Sequence, residues 1–277
     1  MPARDTPLRL TVLGCGTAQV RPETPASGVL VQGGESNLLV DCGPGVAAQL
    51  ARVLDVPALS AVVVTHLHYD HYLDIVGLRY LLPWPGLETG RPRVYLPPDG
   101  LQRLAALEVA ISERPGFFAD AMDIAEFDPD GELRVGDLRL TFVRADHYVP
   151  AWSTIIDAAD GSRIVYAGDT GPTERLVETA RAADLLVLEA TLATPAEDDH
   201  VRGHLTADEA VDIVQRSDAA RGVLVHYPWA RSSAIDLVCA PTAGRVVRGT
   251  PGFGLEVPAS DGRGADIGAP SLTETPA

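Results

Sequence analysis

Apolar positions gather in short runs with turn residues between them. Leu8–Leu13, Gly28–Val31, Asn37–Val40 and Ala61–Thr65 alternate or run continuously for strand lengths, bounded by Gly, Pro and Ser. Helical spacing begins after Gly43-Pro44-Gly45, over Val46–Leu54, and again over Tyr72–Leu82, where Pro83 stops it. From Pro83 to about Asp130 no clear period emerges. Strand patterns resume at Leu138–Val143, Ser153–Ile156 and Ile164–Ala167. Helices are then predicted over Thr173–Ala182 and Ala207–Arg216, flanking strands at Leu185–Leu188 and Gly222–Val225. Strands in both halves, each set followed by helices, predict an α/β fold: two packed sheets with helices on both outer faces, a four-layer αββα sandwich. Residues 1–257 are expected to form one domain. The segment 258–277, rich in Gly, Ala, Pro and acidic residues without an apolar face, is expected to be a disordered tail.

Composition narrows the chemistry. No apolar run approaches the roughly 18–20 residues a membrane span needs, and the opening MPARDTPLRL lacks a secretory pattern, so a cytoplasmic protein is expected. A net charge of −16 disfavours extended nucleic acid as a partner, because Lys and Arg supply most non-specific affinity for phosphate backbones. A small substrate is easier to accommodate. All 22 basic residues are Arg, which removes lysine nucleophiles and Schiff bases. Cys15, Cys42 and Cys239 have no CxxC spacing and are expected to stay reduced and structural.

The strongest local signal is Thr65-His66-Leu67-His68-Tyr69-Asp70-His71, directly after an apolar strand. Four potential ligands in six residues make a poor core, since burying an unpaired neutral polar group costs roughly 2–7 kcal/mol. A metal-ligand loop is the simpler explanation, with His66 and His68 converging on one ion and Asp70 and His71 turning toward a second. Three more strand ends each deliver a ligand type: His147 after Leu138–Val143, Asp169 after Ile164–Ala167, and His226 after Gly222–Val225. Asp169 is the natural bridging carboxylate, whereas His200, in an acidic run, reads as a solvated loop residue. Gly14-Cys15-Gly16-Thr17 lacks the third glycine of a dinucleotide fingerprint and reads as a tight turn. No serine has a G-x-S-x-G setting.

With these residues in place, the chain resembles the metallo-β-lactamase superfamily, whose HxHxDH, distal His, bridging Asp and final His match His66, His68, Asp70, His71, His147, Asp169 and His226. The resemblance spans roughly residues 8–255. It implies the αββα fold and two divalent metal ions, zinc in most members and manganese or iron in some, with a metal-bridging hydroxide as nucleophile. It further implies His66, His68 and His147 on one ion, Asp70, His71 and His226 on the other, and Asp169 shared. Homodimers are frequent among such proteins.

Further segments indicate a branch. Leu38-Leu39-Val40-Asp41-Cys42-Gly43-Pro44-Gly45 resembles a ribonuclease Z segment, as do Glu189-Ala190-Thr191 and Gly203-His204-Leu205-Thr206. In that branch the matching Glu and His donate a proton to the leaving oxygen, a role the resemblance gives to Glu189 and His204, with Asp70 also at the catalytic centre. Thr206 with Glu209 also has the form of a helix capping box. Asp41 either orients a metal-bound imidazole or caps its own turn. Residues 148–168 leave room for a hairpin only, where ribonuclease Z carries a tRNA-gripping arm. In Thr24-Pro25-Ala26-Ser27-Gly28 and His226-Tyr227-Pro228-Trp229 the chain is similar instead to arm-less bacterial relatives proposed to act on cyclic nucleotides. The resulting expectation is a dimetal phosphodiesterase acting on a small anionic cyclic nucleotide. The alternatives are a lactonase or thioesterase using Tyr148 or Tyr227 as oxyanion donor, a ribonuclease Z-like RNA endonuclease, and a non-catalytic metal-binding protein. Arg79, Arg144 and Arg202 lie near motifs and could hold phosphate, though each reads more simply as a surface charge.

Overall fold

A computed structural model describes residues 7–19, 21–83, 91–112, 115–198 and 201–258. The expected tail beyond 258 and His200 therefore lie outside the described residues. The first half builds β1 (Leu8–Gly14), β2 (Gly28–Gly33), β3 (Ser36–Val40), α1 (Val46–Val53), β4 (Ala61–Val63), α2 (Tyr69–Tyr72), α3 (Ile75–Leu81), β5 (Arg93–Leu96), α4 (Gly100–Ile111) and β6 (Asp123–Glu126). The second half builds β7 (Leu133–Val135), β8 (Leu138–Arg144), β9 (Trp152–Asp157), β10 (Arg163–Tyr166), α5 (Glu174–Thr179), β11 (Leu185–Glu189), α6 (Ala207–Arg216), β12 (Arg221–Val225), α7 (Ser232–Cys239), β13 (Val246–Arg248) and β14 (Gly254–Val257). Two seven-stranded sheets result, ordered β14-β1-β2-β3-β4-β5-β6 and β13-β12-β11-β10-β9-β8-β7. With helices outside them they form the expected αββα sandwich.

The continuous apolar runs follow from burial on both faces. Leu8, Leu10 and Val12 of β1, Leu38 and Val40 of β3, and Ala61 and Val63 of β4 face a core shared with the second sheet. Their neighbours Leu13, Leu39 and Val62 face a second core under α1 and α3. The period of two in a strand sends successive side chains to opposite layers. On the far side, α6 buries Ala210, Ile213 and Val214 against the second sheet, and its start carries the capping box of Thr206 and Glu209.

Three expectations change. The helix read over Tyr72–Leu82 is two helices, broken where the Asp74 carboxylate accepts the Gly45 and Ala47 amides at 3.1 and 2.8 Å and so caps α1 from outside. The middle segment contains β5, α4 and β6. Of α4, only Gly100 and Leu104 are buried, so it lacks the apolar stripe that a periodicity reading needs. The strands at Leu133–Val135, Val246–Arg248 and Gly254–Val257 and the helix at Ser232–Cys239 were not anticipated either. Between His147 and Asp169 the chain makes only the antiparallel β9–β10 hairpin, as anticipated. The three cysteines are free and buried. No helix among the described residues is long and apolar enough to cross a membrane.

Candidate metal centre

The carboxyl ends of parallel strands from both sheets converge on one site. In the first sheet β3 runs parallel to β4, which places Asp41 beside the loop that follows β4. In the second, β10, β11 and β12 run parallel side by side and deliver Asp169, Glu189 and His226 at neighbouring ends. Ligand atoms of His66, His68, His147 and Asp169 lie within 4.8 Å of one another, as do those of Asp70, His71 and His226. All seven sequence-predicted ligands are thus brought together, in the two groups expected, with Asp169 between them. Its Oδ2 is 3.8 Å from His66 Nε2, 3.9 Å from His147 Nε2 and 3.4 Å from His226 Nε2, and its Oδ1 is 3.3 Å from His71 Nε2.

The loop is held by backbone contacts from a distance in sequence. Cys42 N–H donates to the His71 carbonyl at 2.7 Å, and Ser27 N–H to the Asp70 carbonyl at 3.1 Å. Gly43 packs so closely there that a Cβ would fall 1.8 Å from the Asp70 carbonyl oxygen. Asp41 and His226 both have positive φ, 61° and 46°, a conformation costly for non-glycine residues and concentrated at functional sites.

Partners on the far side of each imidazole fix its tautomer. The Asp41 carboxylate can only accept, so His71 Nδ1 carries the proton across their 2.7 Å contact. The Gly203 carbonyl likewise requires His147 Nδ1–H, at 2.8 Å. Thr191 Oγ1 donates to the His226 carbonyl and accepts from His226 Nδ1 at 2.8 Å. Thr65 Oγ1 donates to Asp41 and accepts from His66 Nδ1 at 3.2 Å. In its neutral form each ring therefore turns an Nε2 lone pair toward the centre, that of His71 lying 3.4 Å from the Ser27 hydroxyl. There His66 Nε2 and His147 Nε2 stand 3.2 and 3.0 Å from His68 Nδ1, and a single proton on His68 can satisfy only one of them. His226 Nε2 faces Asp70 Oδ2 at 3.2 Å, acceptor against acceptor. Asp169 Oδ1 is buried without a hydrogen-bond partner, 3.3 Å from His71 Nε2. Converging lone pairs and carboxylates call for cations. Donors about 2.0–2.1 Å from one tetrahedral ion stand about 3.3 Å apart, and the donor atoms here stand 3.0–3.9 Å apart.

Electrostatics point the same way. Burial, reinforced by neighbouring imidazoles, holds His66, His68 and His147 below the usual histidine range, so they are neutral and fit to ligate. Burial also opposes charge on His71, but Asp169 and Asp41 outweigh it and raise the ring, so the surroundings of Asp169 favour positive charge. Asp169 is held well below the carboxylate range despite burial, by His226 and His71.

Glu189 and His204 form a pair beside this centre, His204 Nδ1–H donating to Glu189 Oε1 at 2.7 Å. Glu189 is itself fixed by the Thr170 and Thr191 amides. Burial pulls the His204 ring down but Glu189 prevails, raising it to about 9. The ring lies parallel to His226, centroids 5.8 Å apart, and its nitrogen is grouped with Asp169 and His226.

Several candidates are engaged by other partners. The Tyr227 hydroxyl donates to the Gly249 carbonyl at 2.7 Å inside the core, and that of Tyr148 donates to Asp198, so neither offers a spare proton to an oxyanion. Arg79 is buried rather than on the surface, its Nε bonded to the Phe117 carbonyl. Arg144 stacks on Trp152, and Arg202 is paired with Glu209. The orienting roles of Thr65, Thr191 and the Gly203 carbonyl escaped the sequence reading. Only Thr65, adjacent to the histidine run, carried any local signal. Tyr166, whose hydroxyl donates to Asp41 at 3.1 Å, carried none.

Comparison with known proteins gives the same picture. Residues 36–227 match the sequence profile of the Beta-lactamase superfamily domain. An uncharacterized protein of Mycobacterium leprae is 32% identical over 226 residues, covering 80% of this chain and 78% of its own. A ribonuclease Z of Natronomonas pharaonis is 31% identical over 267 residues, covering 79% of this chain and 86% of its own. The crystal structure of the metallo-β-lactamase fold protein YhfI from Bacillus subtilis superposes with a TM-score of 0.78 at 25% identity, over 91% of this chain and 100% of that one.

Proposed function

Because the chain belongs to the metallo-β-lactamase superfamily, in its ribonuclease Z-like branch, and is a metal-dependent hydrolase, we propose that it cleaves a phosphodiester, and that its substrate is a small cyclic nucleotide. The observation that carries this reading is the Glu189–His204 pair beside Asp169 and His226. Hydrolysis of a phosphodiester expels an alkoxide, which needs a proton, and His204 presents its second ring nitrogen on the metal side while Glu189 holds the first. A thioester, whose thiolate departs readily, has no comparable need; a lactone does, so it is the substrate panel that separates lactones from phosphodiesters. The carbonyl-hydrolase alternative also lacks its donors, since the hydroxyls of Tyr148 and Tyr227 are engaged.

In this account His66, His68, His147 and Asp169 would hold one divalent ion, and Asp70, His71, His226 and Asp169 the other. When bound, such ions lower the pKa of water toward about 7 and neutralise phosphoryl oxygens. Asp41 keeps the His71 lone pair aimed inward, as the Gly203 carbonyl does for His147. Glu189 orients His204 toward the departing oxygen. The small size of the substrate is supported by the β9–β10 hairpin and by the net charge of −16, which repels a long polyanion.

The test is a substrate panel on the zinc- or manganese-loaded protein. Turnover of 3′,5′-cyclic AMP and bis(p-nitrophenyl) phosphate is expected, with lactones and thioesters cleaved poorly. Acyl turnover without phosphodiester turnover would reject the assignment.

A further inference from the structure

The segments carrying His147 and His204 meet through a polar clamp that the reaction scheme leaves unused. Asp198 Oδ2 accepts two hydrogen bonds, from the Tyr148 hydroxyl at 2.5 Å and from the Gly203 N–H at 2.8 Å. Gly203 lies flat against the Tyr148 ring, where a Cβ would fall 2.6 Å from both Cε1 and Cζ. The Gly203 carbonyl accepts from His147 Nδ1. On the other flank the Arg202 carbonyl abuts Gly171, where a Cβ would fall 2.0 Å from that oxygen. The adjacent residues 147–148 thus grip the adjacent residues 203–204, bringing the His204 ring 5.0 Å from that of His147 and 5.4 Å from that of Tyr148.

We propose that Tyr148 and Asp198 are positioning residues, which lock the 202–204 segment onto the 147–148 segment and so set where His204 stands relative to the metal centre. This rests on His204 serving as proton donor. An exposed Tyr–Asp contact is ordinarily worth little, but this one ties two chemically active segments together, and a misplacement of about 1 Å at a reacting group can cost about 10²-fold in rate. The Tyr148 hydroxyl has one proton and gives it to Asp198. The phenol therefore acts through the loop and not on substrate.

The experiment compares the full-length, metal-loaded protein with Tyr148→Phe and Asp198→Asn in two readouts. Hydrogen exchange at the Gly203 amide is expected to quicken about tenfold or more in both variants, since each loosens its acceptor. The kcat for 3′,5′-cyclic AMP is expected to fall about tenfold with KM and metal content unchanged. Turnover of bis(p-nitrophenyl) phosphate, whose leaving group needs no proton, should stay within about twofold. Unchanged exchange would overturn the clamp. Faster exchange without the leaving-group-dependent loss would overturn its link to His204, and equal losses on both substrates with metal release would place its effect on His147 instead. If the unaltered protein cleaves no phosphodiester, the functional reading falls, while the exchange measurement still decides the clamp.

Discussion

Asp169→Asn should leave a folded protein that has lost both its metals and its activity. Among the described residues Asp169 is the carboxylate that approaches histidines of both ligand groups, with oxygens 3.3–3.9 Å from His66, His71, His147 and His226. The amide has nearly the same shape, so packing is preserved. It carries no charge, however, and presents an N–H₂ donor where lone pairs already converge or where a cation is required. Metal-assisted charge stabilisation is worth several kcal/mol, and each 1.36 kcal/mol is tenfold in rate, so turnover should fall at least about a thousandfold. Metal analysis of the purified variant should show fewer than one ion per chain, with the far-ultraviolet circular dichroism unchanged. A variant that kept two ions and activity within tenfold of the parent would remove Asp169 from the bridging role.

The second large effect belongs to His204→Ala, and it should depend on the leaving group. With an alkoxide such as the ribose oxygen of a cyclic nucleotide, loss of the donor should lower kcat by about 10²–10⁴-fold. With p-nitrophenolate, which departs without a proton, the loss should be no more than about tenfold. Glu189→Gln should follow the same pattern more weakly, because an amide oxygen can still take the His204 Nδ1–H while the negative charge that raises the ring is gone. Steady-state kinetics on the two substrates decide the matter. An equal loss on both would make His204 a structural or metal-holding residue.

How much of this was legible follows from where each interaction lies along the chain. The candidate ligands of residues 66–71 could be read directly, because four such side chains in so short a span do not suit a core. His147, Asp169 and His226 could be read because each follows an apolar run that forms a strand. The layered fold was legible for a related reason, since strands buried on both faces give continuous apolar runs. What could not be read is the set of partners that aim the ligands. Thr191 meets His226 across 35 positions and Tyr166 meets Asp41 across 125, and neither pairing leaves a local pattern. The α4 helix was missed for the opposite reason, being too exposed to show a period. The helix break before Ile75 exists because Asp74 serves α1, a tertiary demand invisible to local spacing. Tyr148 stood next to a ligand and so invited a direct chemical role, but its hydroxyl is committed to Asp198.

The most direct test of the central claim is a metal titration of chelator-treated protein, following 3′,5′-cyclic AMP hydrolysis as zinc or manganese is returned. Activity should be absent without metal and should rise to a plateau at two equivalents per chain, as two ligand groups joined by Asp169 require. Full turnover in the metal-free protein, saturation at a single equivalent, or a fully loaded protein that leaves the cyclic phosphodiester intact would contradict the account.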